Sequence, residues 1–188
     1  VTAQTDALAV GVQALTESVR TLAVDPADQV RLLSVLAAYA PATMQGTAPI
    51  EQGIQQAQAS TAALCRRAAL TSLARATAEY NPTSYQDAVA LRNNVAALFD
   101  AEILIAGDND DVATYQALRA LRTAIVLDLN TRAATLPALI NVVTPVPSTA
   151  LTLAYKLYDD ATRCDDVIAR AIPVHPAFMP IDMVLLSA

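Results

Sequence analysis

A chain of 188 residues with 54% hydrophobic side chains is long and apolar enough for one medium core, or for a larger core with a small appendage. The net charge is −6, the only lysine is Lys156, and no basic run exceeds Arg66-Arg67. Nucleic-acid affinity rests on neutralising phosphates with Lys and Arg, so this balance argues against DNA or RNA as a partner of the chain. No apolar run reaches the ~18 residues of a membrane span, so no membrane partner is expected. Aromatics make up only 4% and alanine is abundant, so the core must come from long helices in close approach.

The first expected helix runs from about Gln4 to Ala23. Leu8, Val12, Leu15, Val19 and Leu22 alternate spacings of four and three, the seam of a coiled coil or antiparallel bundle. The seam is too short to stand alone and requires a partner surface, in this chain or in another. Asp25-Pro26 then starts a second helix, with aspartate as N-cap and proline at the first helical position. Its stripe is Val30, Leu33, Leu36, Ala37 and Ala40, and Pro41 ends it before a loop over Ala42–Pro49. A long helix follows from about Ile50 to Tyr80, glutamine-rich at first and apolar later at Leu64, Ala68 and Leu73, until Asn81-Pro82 stops it.

Thr83 to Gln86 has the spacing of a capping box, and the helix it opens carries Leu91, Val95, Leu98 and Ile105. Gly107 suits a left-handed turn, and the acidic run Asp108-Asn109-Asp110-Asp111 suits the N-terminus of the next helix. That helix, about Asp111 to Thr135, carries Tyr115, Leu118, Leu121, Ile125, Leu129 and Leu136. The two helices are expected to form an antiparallel hairpin at the centre of the bundle. After Leu136-Pro137 comes Asn141-Val142-Val143-Thr144, a β-branched run fenced by Pro145 and Pro147, which suits an edge strand.

A short helix over Ala150–Tyr158 would place Leu151, Ala154, Tyr155 and Tyr158 on one face. Asp159-Asp160 breaks it and caps a second short helix, Thr162 to Arg170, anchored by Val167 and Ile168. Pro173, Pro176 and Pro180 then forbid helix, and Met183 to Leu186 recovers a strand that pairs with the first. The expected fold is mainly α: an antiparallel helical bundle over residues 1–136 and a small β-α-α-β module over 137–188.

Few residues invite chemistry. His175 is the only histidine and has prolines and Phe178 beside it rather than a nucleophile, which suits a structural turn. Asp108, Asp110 and Asp111 start like a calcium loop, but Ala113 stands where such a loop needs glycine. Asp159-Asp160 and Asp165-Asp166 could pair carboxylates for glycoside cleavage, yet they sit in a short module without cleft walls. Tyr155 and Tyr158 could stack on a base or a sugar, against a plainer role in packing. The four glycines are scattered at 11, 46, 53 and 107, and no CxxC or HExxH occurs. The reading is of a non-enzyme with no catalytic residue, metal or cofactor.

The run LAYKLYDDATRCDDVIAR (153–170), followed by His175-Pro176-Ala177-Phe178 and Pro180, resembles the C-terminal end of the Mu-type phage tail proteins known as DNA circularisation proteins. That pattern reads roughly L-A-x-R-L-Y-G-D-A-x-R-A-D-E-I-x-x-R-N, then H-P-G-F-x-P-G-G, and is itself similar to the LysM-like modules of contractile-tail baseplates. The resemblance extends upstream through Arg67-Ala68-Ala69-Leu70, the segment from Tyr85 to Asp100 and Leu118 to Arg122, covering about residues 60 to 188.

It implies a structural tail protein of the virion, at the baseplate or tail tip, assembled in the host cytoplasm. Its partners would be other tail proteins and further copies of itself. It further implies an interaction surface on the LysM-like module, made of Tyr155, Tyr158, Asp160, Arg163, His175 and Phe178. Family members are longer, so the chain is expected to be a C-terminal portion. Cys65 and Cys164 are expected as isolated buried thiols, given assembly in a reducing cytosol. Two alternative roles come with the resemblance: holding DNA ends after injection with the genome, and binding peptidoglycan. This chain has Asp159 for the pattern's first-turn glycine, Ala171 for its asparagine and Ile181-Asp182 for its last two glycines. Those positions shape the sugar groove in glycan-binding LysM domains, so the departures weigh against peptidoglycan and leave a packing role.

Overall fold

The structure, a computed structural model, describes residues 2–42 and 46–187, so the loop expected over Ala42–Pro49 lies outside the described residues at 43–45. Among the described residues the chain is mainly helical. Five helices come first: α1 (Thr2–Leu22), α2 (Pro26–Ala37), α3 (Pro49–Glu79), α4 (Tyr85–Asp108) and α5 (Val112–Ala133). Strand β1 (Leu139–Val143), helix α6 (Ala150–Tyr158), a 3₁₀ turn (Ala161–Arg163), helix α7 (Cys164–Ala171) and strand β2 (Asp182–Leu186) follow. The chain divides into two compact units, Val1–Asn81 with Ala90–Thr131, and Pro82–Val89 with Arg132–Ala188. The second unit thus takes in 82–89, a segment distant in sequence from the expected boundary at Leu136.

Local chemistry sets the helix starts. The Asp25 carboxylate accepts from the Ala27 amide at 2.9 Å, capping α2 one residue before Pro26. At α4 the cap is Ser84, whose hydroxyl accepts from the Asp87 amide, while the Asp87 carboxylate accepts from the Thr83 amide. The box expected from Thr83 to Gln86 is therefore displaced by one residue, which releases Gln86 for other contacts. In the α4–α5 turn Gly107 is still helical, and Asp110 takes the left-handed conformation (φ 55°) expected of the glycine. A short polar side chain tolerates that region, and Gly107 is not needed for it. Asp111 caps α5 through the Thr114 amide.

In the first unit the stretch buried on most sides is the later part of α3, including Ala69, Leu70, Ser72, Leu73 and Ala76, each 0% exposed. It packs against α1 and α2, and its leucines share a core with Val95 and Phe99 of α4 and Leu118 and Leu129 of α5. The middle position expected of the α4–α5 hairpin thus belongs to α3. Helices α4 and α5 do run antiparallel. Asp100 pairs with Arg122 at 2.7 Å and Arg92 with Asn130 at 2.7 Å, both pairs centred on residue 111.

The seam expected on α1 is only half used. Val12 and Val19 are partly buried, whereas Leu8, Leu15 and Leu22 are exposed. The side turned to α3 is polar. Thr16 lies 3.1 Å from Ser72, and Gln13 donates to Ser72 and accepts from Thr71. Glu17 accepts from Ser72 and pairs with Arg75, and Arg20 bridges Glu17 and Glu79. Complementary partners on α3 satisfy this face, so hydrogen bonding rather than apolar pattern orients the helix.

Candidate functional site

The candidate residues all fall in the second unit, on a frame of two strands and two short helices. β1 and β2 pair antiparallel, with Val142 opposite Met183 and Ile140 opposite Leu185. Met183 and Leu185 turn inward onto Leu153, Ala154, Val167 and Met179, which form this unit's core. The chain reverses between α6 and α7 through Asp159 (φ 53°) and leaves α7 through Ile172 (φ 45°), both left-handed. For a β-branched isoleucine that conformation is strained.

Helix α6 spans the expected residues, but its buried face is displaced by one. Ala150, Leu153 and Ala154 are buried, while Leu151 and Tyr155 are exposed. Alanine and leucine occur on both sides of this helix, so apolar spacing admits two faces about 100° apart. Docking on Met179 and Met183 selects one of them.

Three of the six candidates serve the unit's own fold. The Tyr158 hydroxyl donates to the Leu186 carbonyl at 2.9 Å. The Arg163 guanidinium lies over the Tyr158 ring at 3.7 Å and reaches Asp166 at 3.4 Å. Burial pushes the Tyr158 hydroxyl above the ordinary tyrosine range. The Asp160 carboxylate accepts from the Thr162 amide at 2.9 Å and from its hydroxyl at 2.7 Å, capping the 3₁₀ turn. Those hydrogen bonds hold its carboxyl below the usual range.

The other three face solvent. Tyr155 is 61% exposed and Phe178 72%, and His175 is exposed as well. His175 closes a tight turn: its carbonyl accepts from the Phe178 amide at 2.9 Å and its Nδ1 from the Ala177 amide at 3.1 Å. The His175 and Phe178 rings stand 6.2 Å apart. The turn is tied to the start of α6, since Ala150 donates to the Pro176 carbonyl and Met179 to the Ser148 carbonyl, each at 2.9 Å. Ile172 and Val174 extend this exposed apolar loop.

Two side chains take roles that the sequence did not announce. Gln86 brackets the backbone of Leu139, accepting from its amide at 2.7 Å and donating to its carbonyl at 3.4 Å, as a neighbouring strand would. Its amide sits at the edge of β1 away from β2, as Tyr158 does on β2, so each outer edge is covered at one residue. In the first unit Glu102, 1% exposed, receives Arg66 at 2.6 Å and Arg67 at 2.8 Å. The signal for it was a gap in the α4 stripe: 91, 95, 98 and 105 skip position 102, where the glutamate stands.

Asp111 pairs with Arg67 at 3.0 Å as well as capping α5. Among the described residues no group of three His, Cys, Asp or Glu side chains is placed to hold a metal. No helix among them is long and apolar enough to cross a membrane. Cys65 and Cys164 are free, and each is partly exposed rather than buried. Set against known proteins, the chain matches no family model and no curated protein in sequence.

Proposed function

We propose that this chain is a structural component of a contractile, Mu-like phage tail, at the baseplate or tail tip, acting through protein–protein contacts with other tail proteins. The tail assignment rests on the resemblance of residues 60 to 188. One structural observation supports the contact role: three polar candidates are spent on internal bonds, and apart from His175 the side chains left outward are apolar or aromatic. Tyr158, Asp160 and Arg163 cap, stack and close a strand edge, while Tyr155, Ile172, Val174 and Phe178 face solvent. Exposed apolar side chains of this kind suit a protein surface better than a sugar or a phosphate.

The reading includes an antiparallel helical bundle as the body and a LysM-like module at residues 137–188. In support, the second unit runs strand, helix, helix, strand with the strands antiparallel. Asp159 adopts a left-handed conformation at the position where the family pattern has glycine, the residue that backbone favours. Locating the protein in an electron-microscopy map of intact particles tests the assignment, and density confined to the capsid or absent from the virion refutes it. A gel shift with this chain at physiological salt is expected to show no DNA binding, consistent with the net charge of −6. Salt-sensitive binding there would instead favour the DNA-end-holding role, and retention on cell-wall sacculi a glycan role.

A further inference from the structure

Helix α1 is oriented the wrong way round for a helix that faces water. Its charged residues are Asp6, Glu17 and Arg20. Glu17 and Arg20 lie on the α3 side in the ion-pair cluster, and helical spacing puts Asp6 on the side opposite Leu8. The outer side carries Leu8, Gly11, Leu15, Ser18 and Leu22, flanked by Ala7 and Ala14, with no charge among them and all exposed. Leu22 is 80% exposed and Leu15 65%. Gly11 adds a second observation: a Cβ built there meets nothing within 4 Å. One chain's fold therefore gives no reason for glycine inside a helix, where it is less stable than alanine. A second helix approaching closely would.

We propose that this outer face is an interface between two copies of the chain, with the α1 helices antiparallel and Leu15 meeting its own counterpart. The inference extends the contact role proposed above to a second surface, on the first unit, and names its partner. Leucines at 8, 15 and 22 are symmetric about Leu15, so an antiparallel copy sets Leu8 against the other copy's Leu22 without further adjustment. Gly11 and Ser18 leave the hollows into which leucine knobs fit. Two chains each carrying −6 repel one another broadly, and an uncharged face is where they can approach. The 21-residue helix is about 30 Å long and about 10 Å wide, a footprint of about 300 Å² per partner. A standard stable interface buries about 800 Å² per partner, so α1 alone gives a weak dimer.

Sedimentation velocity of the 188-residue chain from tens of micromolar to about 1 mM is expected to show a reversible monomer–dimer equilibrium. Leu15→Glu brings two carboxylates together on the symmetry axis and is expected to weaken the dimer at least ~100-fold. Circular dichroism and thermal melting should stay as in the parent, because Leu15 is already exposed. In a Cys65→Ser/Cys164→Ser background, Leu15→Cys is expected to cross-link with itself on oxidation. Leu8→Cys should cross-link only when mixed with Leu22→Cys. A monomer throughout the range overturns the proposal, as does a dimer indifferent to Leu15→Glu or a Leu8→Cys chain that links to itself. None of these results changes where the protein is found in a particle, so the tail assignment stands or falls separately.

Discussion

Replacing Glu102 with alanine should be among the most damaging single changes in the first unit. Its carboxylate is 1% exposed and accepts from the Nε of both Arg66 and Arg67, so two guanidinium groups depend on it. Removing one member of a buried ion pair costs about 3–5 kcal/mol, because the remaining charge is left without a partner. Here the remaining charges keep something: Arg67 retains Asp111 at 3.0 Å, and Arg66 retains the Tyr39 carbonyl at 3.3 Å. The arginines are also 15% and 29% exposed, so water reaches them. The lower end, about 3 kcal/mol, is the expected loss, equivalent to roughly 10 °C in melting temperature for a unit of this size. Glu102→Gln keeps the shape and one acceptor oxygen and should lose less than half as much. Urea titration followed by far-ultraviolet circular dichroism measures both variants. If Glu102→Ala unfolds within ~0.5 kcal/mol of the parent, surface-like behaviour, the view that this cluster holds α3 against α4 is wrong.

Ile172→Asn should stabilise the second unit by about 1 kcal/mol, since a β-branched residue in the left-handed region costs about that much and this side chain is 84% exposed; a lower melting temperature would contradict it. Tyr158→Phe leaves the ring under Arg163 but strips the Leu186 carbonyl of its donor, an expected loss of about 1 kcal/mol. Tyr155→Ala at an exposed position should change stability by less than ~0.5 kcal/mol, and equal effects from the two would undo the division between structural and outward tyrosines. Hydrogen bonding to Arg20 holds the Glu17 carboxyl below the ordinary glutamate range, against an opposing effect of burial. Its contribution is then complete above about pH 4.3, the unfolded value, and declines as the pH falls through the lowered folded value. Glu17→Gln should flatten the acid limb of the stability profile, and an unchanged limb would show that Glu17 does not contribute to it.

Most of the local structure was legible in the sequence. Asp25-Pro26 fixed the start of α2, the prolines fenced the strands, and the short helix over Ala150–Tyr158 was found with its ends in place. Caps and prolines act within a few residues, so their effect needs no knowledge of the rest of the chain. The candidate site was legible in part. Asp160 was expected to cap a helix and does cap a turn, whereas the stacking of Arg163 on Tyr158 appears only when the 3₁₀ turn folds back on α6.

What tertiary structure alone decided was which side of α1 and of α6 turns inward, whereas the stripe expected on α5 (Leu118, Ile125, Leu129) is the buried one. In an alanine-rich chain the faces of α1 and α6 differ little in apolar content, so periodicity leaves more than one orientation open. On α1 the choice fell to Ser72, Thr71 and Arg75 of α3, which offer partners to Gln13, Thr16 and Glu17 and leave the leucines outside. On α4 it let a glutamate occupy the core stripe, because two arginines more than thirty residues earlier in sequence arrive opposite it. Sequence determined the elements through interactions that reach a few residues. The buried faces were decided by complementarity between surfaces that only folding brings together.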